Sequence, residues 1–304
     1  MELETGLHRK TRVSRQRTTE GAIGIRVTDR DLWILEALGK MRFLRTKQLA
    51  RLFFDGSRSA ANKRLRRLFD HSLVKVWITG LADDNLYSLT TRGRSQLEDH
   101  GANLHCPRGV EGNLDHLLAI NDTRIAFVLG TLEFGVRLCW WHSDWDLRTH
   151  ARASLVPDAL FAVDWPEVGP RTYSLELDHN TKSPREFLKK LTGYRGVTYR
   201  AGGLYGEDRF TILVVGHSRT WIERYRSLVR ESALDLHVLF AALEDVCRMG
   251  PLAPIWLGNG SNEPVLLQAR TPPYRKEGFA EETDGESRRC GDDAARVLPV
   301  EGCA

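Results

Sequence analysis

Apolar positions in the first hundred residues recur at helical spacing three times and then switch to short extended runs. Thr28 followed by Asp31 is a capping-box pattern, after which Leu32, Leu35 and Leu38 share a face before Gly39, so a first helix is expected to end there. Thr46 caps a second helix with Leu49, Leu52 and Phe53 inward, and Asp55-Gly56 turns the chain out of it. Ser57 then caps a third. At 100° per residue its Ala61, Leu65, Leu68 and Phe69 lie together, while Lys63, Arg66 and Arg67 project from the opposite side. Leu73 to Ile78, a Gly80 to Asn85 turn and Leu86 to Leu89 follow as a two-stranded ribbon. Three helices and a hairpin in this order predict a winged helix-turn-helix over residues 28–100.

Beyond it the pattern alternates helix and strand. Asn113 to Gly130 reads as a helix with Leu114, Leu117, Leu118, Ile125 and Val128 on one side. Asn121 falls inside that stripe and Arg124 beside it, so both require polar partners, either buried backbone or a site. Val156 to Val163 and Thr172 to Asp178 are expected strands of one hairpin. Period two places Glu176 and Asp178 on one side, about 7 Å apart by the strand rise, opposite Tyr173, Leu175 and Leu177. Asp158 faces them across the pair. Ser183, Pro184 and Glu186 open another helix, in which Phe187, Leu188, Leu191 and Tyr194 are inward, Lys189 points to solvent and Lys190 borders the packed side. From there Lys190 reaches back toward the carboxylates. Phe210 to Val215, Arg219 to Ser232 and Leu236 to Leu243 continue as strand, helix and strand. The fold class expected is therefore α+β or α/β, a winged helix-turn-helix followed by an α/β domain with a mixed sheet.

Composition sharpens this division. The 304-residue chain carries a net charge of +4, but residues 1–100 hold 20 Lys and Arg against 12 Asp and Glu, or +8, leaving −4 for the rest. A basic module joined to a mildly acidic body suits a polyanion-binding protein. Residues 1–27, with Arg9, Lys10, Arg12, Arg15 and Arg17, read as a flexible basic arm that either touches phosphates or is a solvated tail. Residues 101–112 read as a linker, 113–269 as the α/β domain, and 270–304 as a disordered tail in which Pro, Gly and acids dilute the apolar residues. No window approaches the roughly 20 apolar residues of a membrane span, so a cytoplasmic protein is expected and no membrane partner. The cysteines are scattered with no Cys-x-x-Cys pair, which gives no cysteine zinc cluster.

Candidate chemistry follows from the two halves. In a winged module the third helix enters the major groove by its N-terminal half. Ser57, Arg58, Ser59, Asn62 and Lys63 then face base edges, while Arg66 and Arg67 hold phosphates. Double-stranded DNA is the expected partner, and the absence of an exposed aromatic ladder favours it over RNA. A homodimer and replication or mobilisation proteins are further expected partners. In the second half, Asp158, Glu176 and Lys190 are the candidate catalytic residues. Carboxylates from adjacent strands with a lysine beside them suit a phosphodiester: Asp158, Glu176 and Asp178 are the candidate ligands of Mg²⁺, and the lysine orients a water or stabilises developing charge. The opposing reading is three acids at strand edges, solvated or paired with arginines. His142, Asp144 and Asp146 also alternate, as exposed positions of a strand commonly do.

Thr28-Asp29-Arg30-Asp31, the module through Leu89-Thr90-Thr91-Arg92-Gly93, His116 to Asp122, Pro157-Asp158, and Glu176-Leu177-Asp178 followed by Lys190-Leu191 and Tyr194 resemble the replication-relaxation family. The likeness spans about residues 28–250. It implies a protein associated with replication and relaxation of plasmids and other mobile elements, with a second half similar to the PD-(D/E)xK nuclease fold. In that pattern Asp158 and Glu176 would be metal ligands, with Asp178 as a third. The chain departs from it where Asp178 occupies the lysine position, so Lys190 would have to supply the amine from the helix. The resemblance thus implies either a DNA-nicking enzyme or a non-catalytic regulator or replication accessory factor with a degenerate nuclease-like domain.

Overall fold

The computed structural model describes residues 24–78, 84–100, 104–110, 112–149, 155–166, 168–178, 183–198, 203–207, 209–260 and 262–267. Residues 1–23 of the expected arm, the whole expected tail over 270–304 and 80–83 of the expected hairpin turn lie outside that set. The chain forms two compact units, Met1–Asn121 and Asp122–Ala304.

In the first unit α1 (Asp29–Met41), β1 (Leu44–Arg45), α2 (Thr46–Phe53), α3 (Arg58–Asp70), β2 (Val74–Trp77), β3 (Leu86–Leu89) and α4 (Thr91–Arg94) follow one another, then a 3-10 turn over Ser95–His100. The strands form an antiparallel sheet of order β1-β3-β2. The start of α1 is set by Thr28, whose N–H and Oγ1 both donate to Asp31 Oδ2 at 2.7 Å. Gly39 does not end this helix. It is buried inside α1, where an added Cβ would lie 2.7 Å from Leu104 Cδ2, so the residue serves a close packing contact rather than a stop. The Leu104 segment returns to α1 through His105 N–H to Gly39 O at 2.9 Å. After α1 the chain passes through Arg42 at φ 63°, and the Asn121 amide donates to the carbonyls on either side of it, Met41 at 3.1 Å and Phe43 at 2.8 Å. Buried backbone is therefore what Asn121 satisfies.

The hairpin is anchored at its base by Thr90. Its hydroxyl donates to Ser72 O and Leu73 O and accepts from Gly93 N–H at 2.9 Å. A Cβ on Gly93 would lie 2.1 Å from Leu73 O, which explains the glycine in Thr90-Thr91-Arg92-Gly93.

The helix α5 (Leu114–Glu133) carries the chain into the second unit, which continues β4 (Arg137–Ser143), α6 (Asp144–Thr149), β5 (Ala159–Trp165), β6 (Gly169–Asp178), α7 (Pro184–Thr198), β7 (Thr211–Gly216), α8 (Arg219–Glu231), β8 (Val238–Ala242), α9 (Leu243–Met249), β9 (Trp256–Leu257) and β10 (Pro264–Val265). The sheet runs β10-β9-β8-β7-β6-β5-β4. β6, β7 and β8 are parallel and the remaining pairs antiparallel, so the sheet is mixed and the class α+β.

Both faces of the sheet are covered. Leu160, Ile212, Val214 and Phe240 pack with Phe187, Leu191 and Tyr194 of α7 and Trp221, Ile222 and Tyr225 of α8. On the other face Phe161 stacks on Trp141 at 4.4 Å and on Tyr173 at 5.4 Å, with Phe127 of α5 edge-on. Each such fully buried side chain contributes about 1.5–3 kcal/mol of apolar burial. Period two in β6 therefore sends Tyr173, Leu175 and Leu177 to the α5 face and Ser174, Glu176 and Asp178 to the α7 and α8 face.

Candidate functional site

Ser57, Arg58, Ser59, Asn62, Lys63 and Arg67 are exposed on α3, whose first turn is capped by Ser57 Oγ accepting from Ala60 N–H. Three arginines of this helix are engaged by acids of the first unit. Arg64 is turned inward, where its Nε donates to Asp31 Oδ1 at 2.6 Å, its Nη2 to Asp31 Oδ2, and the same Nη2 to Arg26 O at 3.0 Å. Arg66, expected to hold phosphate, is half-buried: its Nε donates to Asp70 Oδ2 at 3.0 Å and its guanidinium lies 5.8 Å from the Phe69 ring. Arg58 pairs with Asp84 near the start of β3. Among the described residues, the exposed ridge of α3 without an ion pair is thus Ser59, Asn62, Lys63 and Arg67.

In the second unit Glu176 is the centre of a buried network. Ser183 and Glu186 cap α7 reciprocally, with both the N–H and the hydroxyl of Ser183 donating to Glu186 Oε2 at 2.8 Å. That start fixes the helix phase, so Phe187, Leu191 and Tyr194 face the sheet, Lys189 is exposed and Lys190 lies at the margin. Lys190 Nζ donates to Glu176 Oε2 at 2.5 Å, and Tyr194 donates its hydroxyl to Glu176 Oε1 at 2.6 Å. Ser174 Oγ lies 2.7 Å from the Tyr194 hydroxyl. The Glu176 side chain is 5% exposed and that of Lys190 22%.

Burial pulls the Lys190 ammonium down, but the charges of Glu176 and Asp158 and the hydrogen bond to Glu176 outweigh it and hold the amine above its ordinary value. Burial, then the Glu176 charge, push the Tyr194 phenol well above its usual range, so it stays a proton donor to the carboxylate.

Asp158 sits just before β5 rather than within it. Its N–H donates to Leu175 O at 3.0 Å, its Oδ2 accepts from Leu177 N–H at 2.8 Å, and its carbonyl accepts from Asp144 N–H at 3.1 Å. These bonds hold its carboxylate against β6, in the field that Lys190 feels. Asp178 is buried on the same face of β6, and its charge adds to burial in raising the Tyr225 phenol of α8. Among the described residues no group of three His, Cys, Asp or Glu side chains is arranged to hold a metal ion. Asp158 and Glu176 remain as two carboxylates of the hard-oxygen type that Mg²⁺ takes together with retained waters. His142, Asp144 and Asp146 do not share a strand: β4 ends at Ser143, Asp144 pairs with Arg148 at 3.3 Å, and Asp146 Oδ2 accepts from Ser143 N–H at 3.1 Å.

The sequence marks Tyr194 only as an inward residue of α7 and leaves Ser174 unmarked within its strand. Ser174 lies two residues before Glu176, so period two places it on the same face, and Tyr194 lies four after Lys190, on the same side of α7. Those two spacings were the signal available.

Among the described residues no helix is long and apolar enough to cross a membrane. No curated protein and no solved structure matches the chain. The replication-relaxation family matches it over residues 35–207, a stretch that holds α3, Asp158, Glu176, Lys190 and Tyr194 alike. The chain belongs to the replication-relaxation family.

Proposed function

We propose that this is a duplex-DNA-binding protein of a mobile element that engages DNA through the α3 side of a winged helix and nicks or otherwise processes it in a nuclease-like second unit. The observation that carries this reading is the amine of Lys190, delivered from α7 to Glu176 beside Asp158. It is the amine that Asp178, standing in the strand position, does not supply.

Asp158 and Glu176 are the residues that would hold Mg²⁺, which when bound polarises a phosphate and lowers the pKa of a bound water. Tyr194 fixes one oxygen of Glu176 and keeps its charge localised. Lys190 stays protonated against the other oxygen, and its ammonium stabilises negative charge developing on the phosphate. Ser59, Asn62, Lys63 and Arg67 present donors to the duplex. Ser57 and Arg58 belong to the same end of α3 and reach the base edges if Arg58 leaves Asp84.

Supercoiled plasmid incubated with the purified chain and Mg²⁺ or Mn²⁺ tests this: relaxed circles are expected, and their formation is lost in Glu176→Ala. Intact supercoils, or relaxation that survives that substitution, would end the nuclease reading.

A second reading, a regulator or replication accessory factor with a degenerate site, is favoured by a specific observation. Both oxygens of Glu176 already accept bonds from Lys190 and Tyr194. It expects Asp158→Ala and Glu176→Ala to retain DNA affinity and replication function of the host element, and a metal-dependent loss in those variants would count against it.

A further inference from the structure

Lys190 is committed to Glu176 at 2.5 Å and is mostly buried, so it is poorly placed to take hold of an incoming phosphate as well. A phosphodiester brought to Asp158 and Glu176 also needs a donor that orients its non-bridging oxygens. α6 supplies one. Its first residue, Asp144, donates its N–H to Asp158 O at 3.1 Å, which pins the start of the helix to the candidate site. One turn along, Arg148 stands over Asp144 with a single Nε bond of 3.3 Å to Oδ2, and its side chain is 66% exposed. The Arg148 charge also acts on Tyr205, whose hydroxyl donates to Leu155 O at 3.4 Å.

We infer that Arg148 is the residue that grips the phosphodiester, its Nη edge donating to the non-bridging oxygens while Asp144 steadies Nε. A planar fork matches two phosphate oxygens, and an exposed surface pair of this kind exchanges for a ligand at little cost. The assignment rests on the nuclease reading above. It assigns binding of the phosphate to α6 and leaves Lys190 to act on Glu176 and on developing charge.

The full chain is compared with Arg148→Ala and Arg148→Lys in Mg²⁺-dependent plasmid nicking and in duplex affinity measured by fluorescence anisotropy in Ca²⁺. Arg148→Ala is expected to lower kcat/KM for nicking at least tenfold. Arg148→Lys, which keeps the charge but not the fork, recovers part of the rate, and overall duplex affinity changes less than twofold because α3 supplies most of it. Nicking by Arg148→Ala at the wild-type rate overturns the assignment and leaves the nuclease reading standing. A wild-type chain that nicks nothing overturns both. Equal loss in the Ala and Lys variants shows a loss of the helix α6 rather than of a phosphate contact, and also overturns it.

Discussion

Each unit carries a carboxylate clamped by a cation from a helix, and the two clamps differ in what they leave for anything else. In the first unit Asp31 is fully buried and spends both oxygens internally, on Arg64 and on Thr28, while Arg64 also holds Arg26 O. The pair joins the start of α1 to the middle of α3 and to the chain before Thr28, so it is a structural rivet. In the second unit Glu176 is similarly buried, yet its cation is part-exposed, a second carboxylate stands in the same field, and its other oxygen is held by a tyrosine whose hydroxyl contacts Ser174. Charge pairing that closes on helix caps and backbone maintains a fold. Charge pairing that opens at the edge of a sheet is available to chemistry.

Breaking each clamp from one side separates these roles. The largest effect expected is Asp31→Ala, which leaves the Arg64 guanidinium without its acid and removes the α1 cap; about 3–5 kcal/mol of stability is lost, read from urea unfolding. Asp31→Asn restores less than half. On the other clamp, Glu176→Gln costs less, about 1–2 kcal/mol, because the Lys190 ammonium it leaves without a counter-charge is part-exposed and the amide keeps one oxygen. Under the nuclease reading, nicking is nevertheless expected to fall by roughly a hundredfold or more, since a carboxylate doing proton or metal chemistry has no neutral substitute. A stability loss at Glu176 as large as that at Asp31 would erase the distinction.

Acid distinguishes the clamps further. Burial alone would raise Asp31, but the Arg64 and Thr28 hydrogen bonds and the Arg64 charge outweigh it and hold the carboxyl below its ordinary value of 3.8. A depressed folded value means that the contribution to stability is complete above about pH 4 and disappears as pH falls through the lowered value. The wild type is therefore expected to lose stability below pH 4 more steeply than Asp31→Asn, measured as the urea midpoint against pH. Lys190 runs the other way. Its raised value makes its contribution complete below about pH 10.5 and lost as pH climbs through the folded value. Lys190→Met flattens that alkaline limb.

The smallest effects concern the surface of α3. Lys63→Ala and Arg67→Ala are each expected to reduce the salt slope of duplex binding by about one unit. Arg66→Ala changes it by less, because Asp70 already neutralises that guanidinium. Asn62→Ala alters sequence preference with the slope unchanged, and equal losses at all four positions would deny base readout.

The helices with clean periodicity and caps were legible in the chain: Thr28 with Asp31, Ser57, and Ser183 with Glu186 all begin helices where local hydrogen bonding says they should. So was the phase of β6 and α7, which is why Glu176 and Lys190 share a side. Short elements were not. β1, of two residues, exists because β3 offers it an edge, and α6, of six, exists because Asp144 is bonded to Asp158. Neither has enough apolar repeats to announce itself. Gly39 read as a stop and is a packing contact, because the partner that needs the space, Leu104, lies 65 residues away.

Local pattern by itself therefore determined the order of the longer elements, their buried faces and the basic character of α3, since these depend on period, caps and charge within a few residues. Tertiary structure decided the charge pairs that are distant in sequence. The Arg66–Asp70 pair lies within one turn of α3, whereas only the approach of Asp31 from α1 turns Arg64 away from a ligand. Likewise Tyr194 becomes a donor rather than a plain core residue only because α7 lands over Glu176. Pairing energy falls steeply with distance and depends on burial, and neither quantity is written in the spacing of residues along the chain.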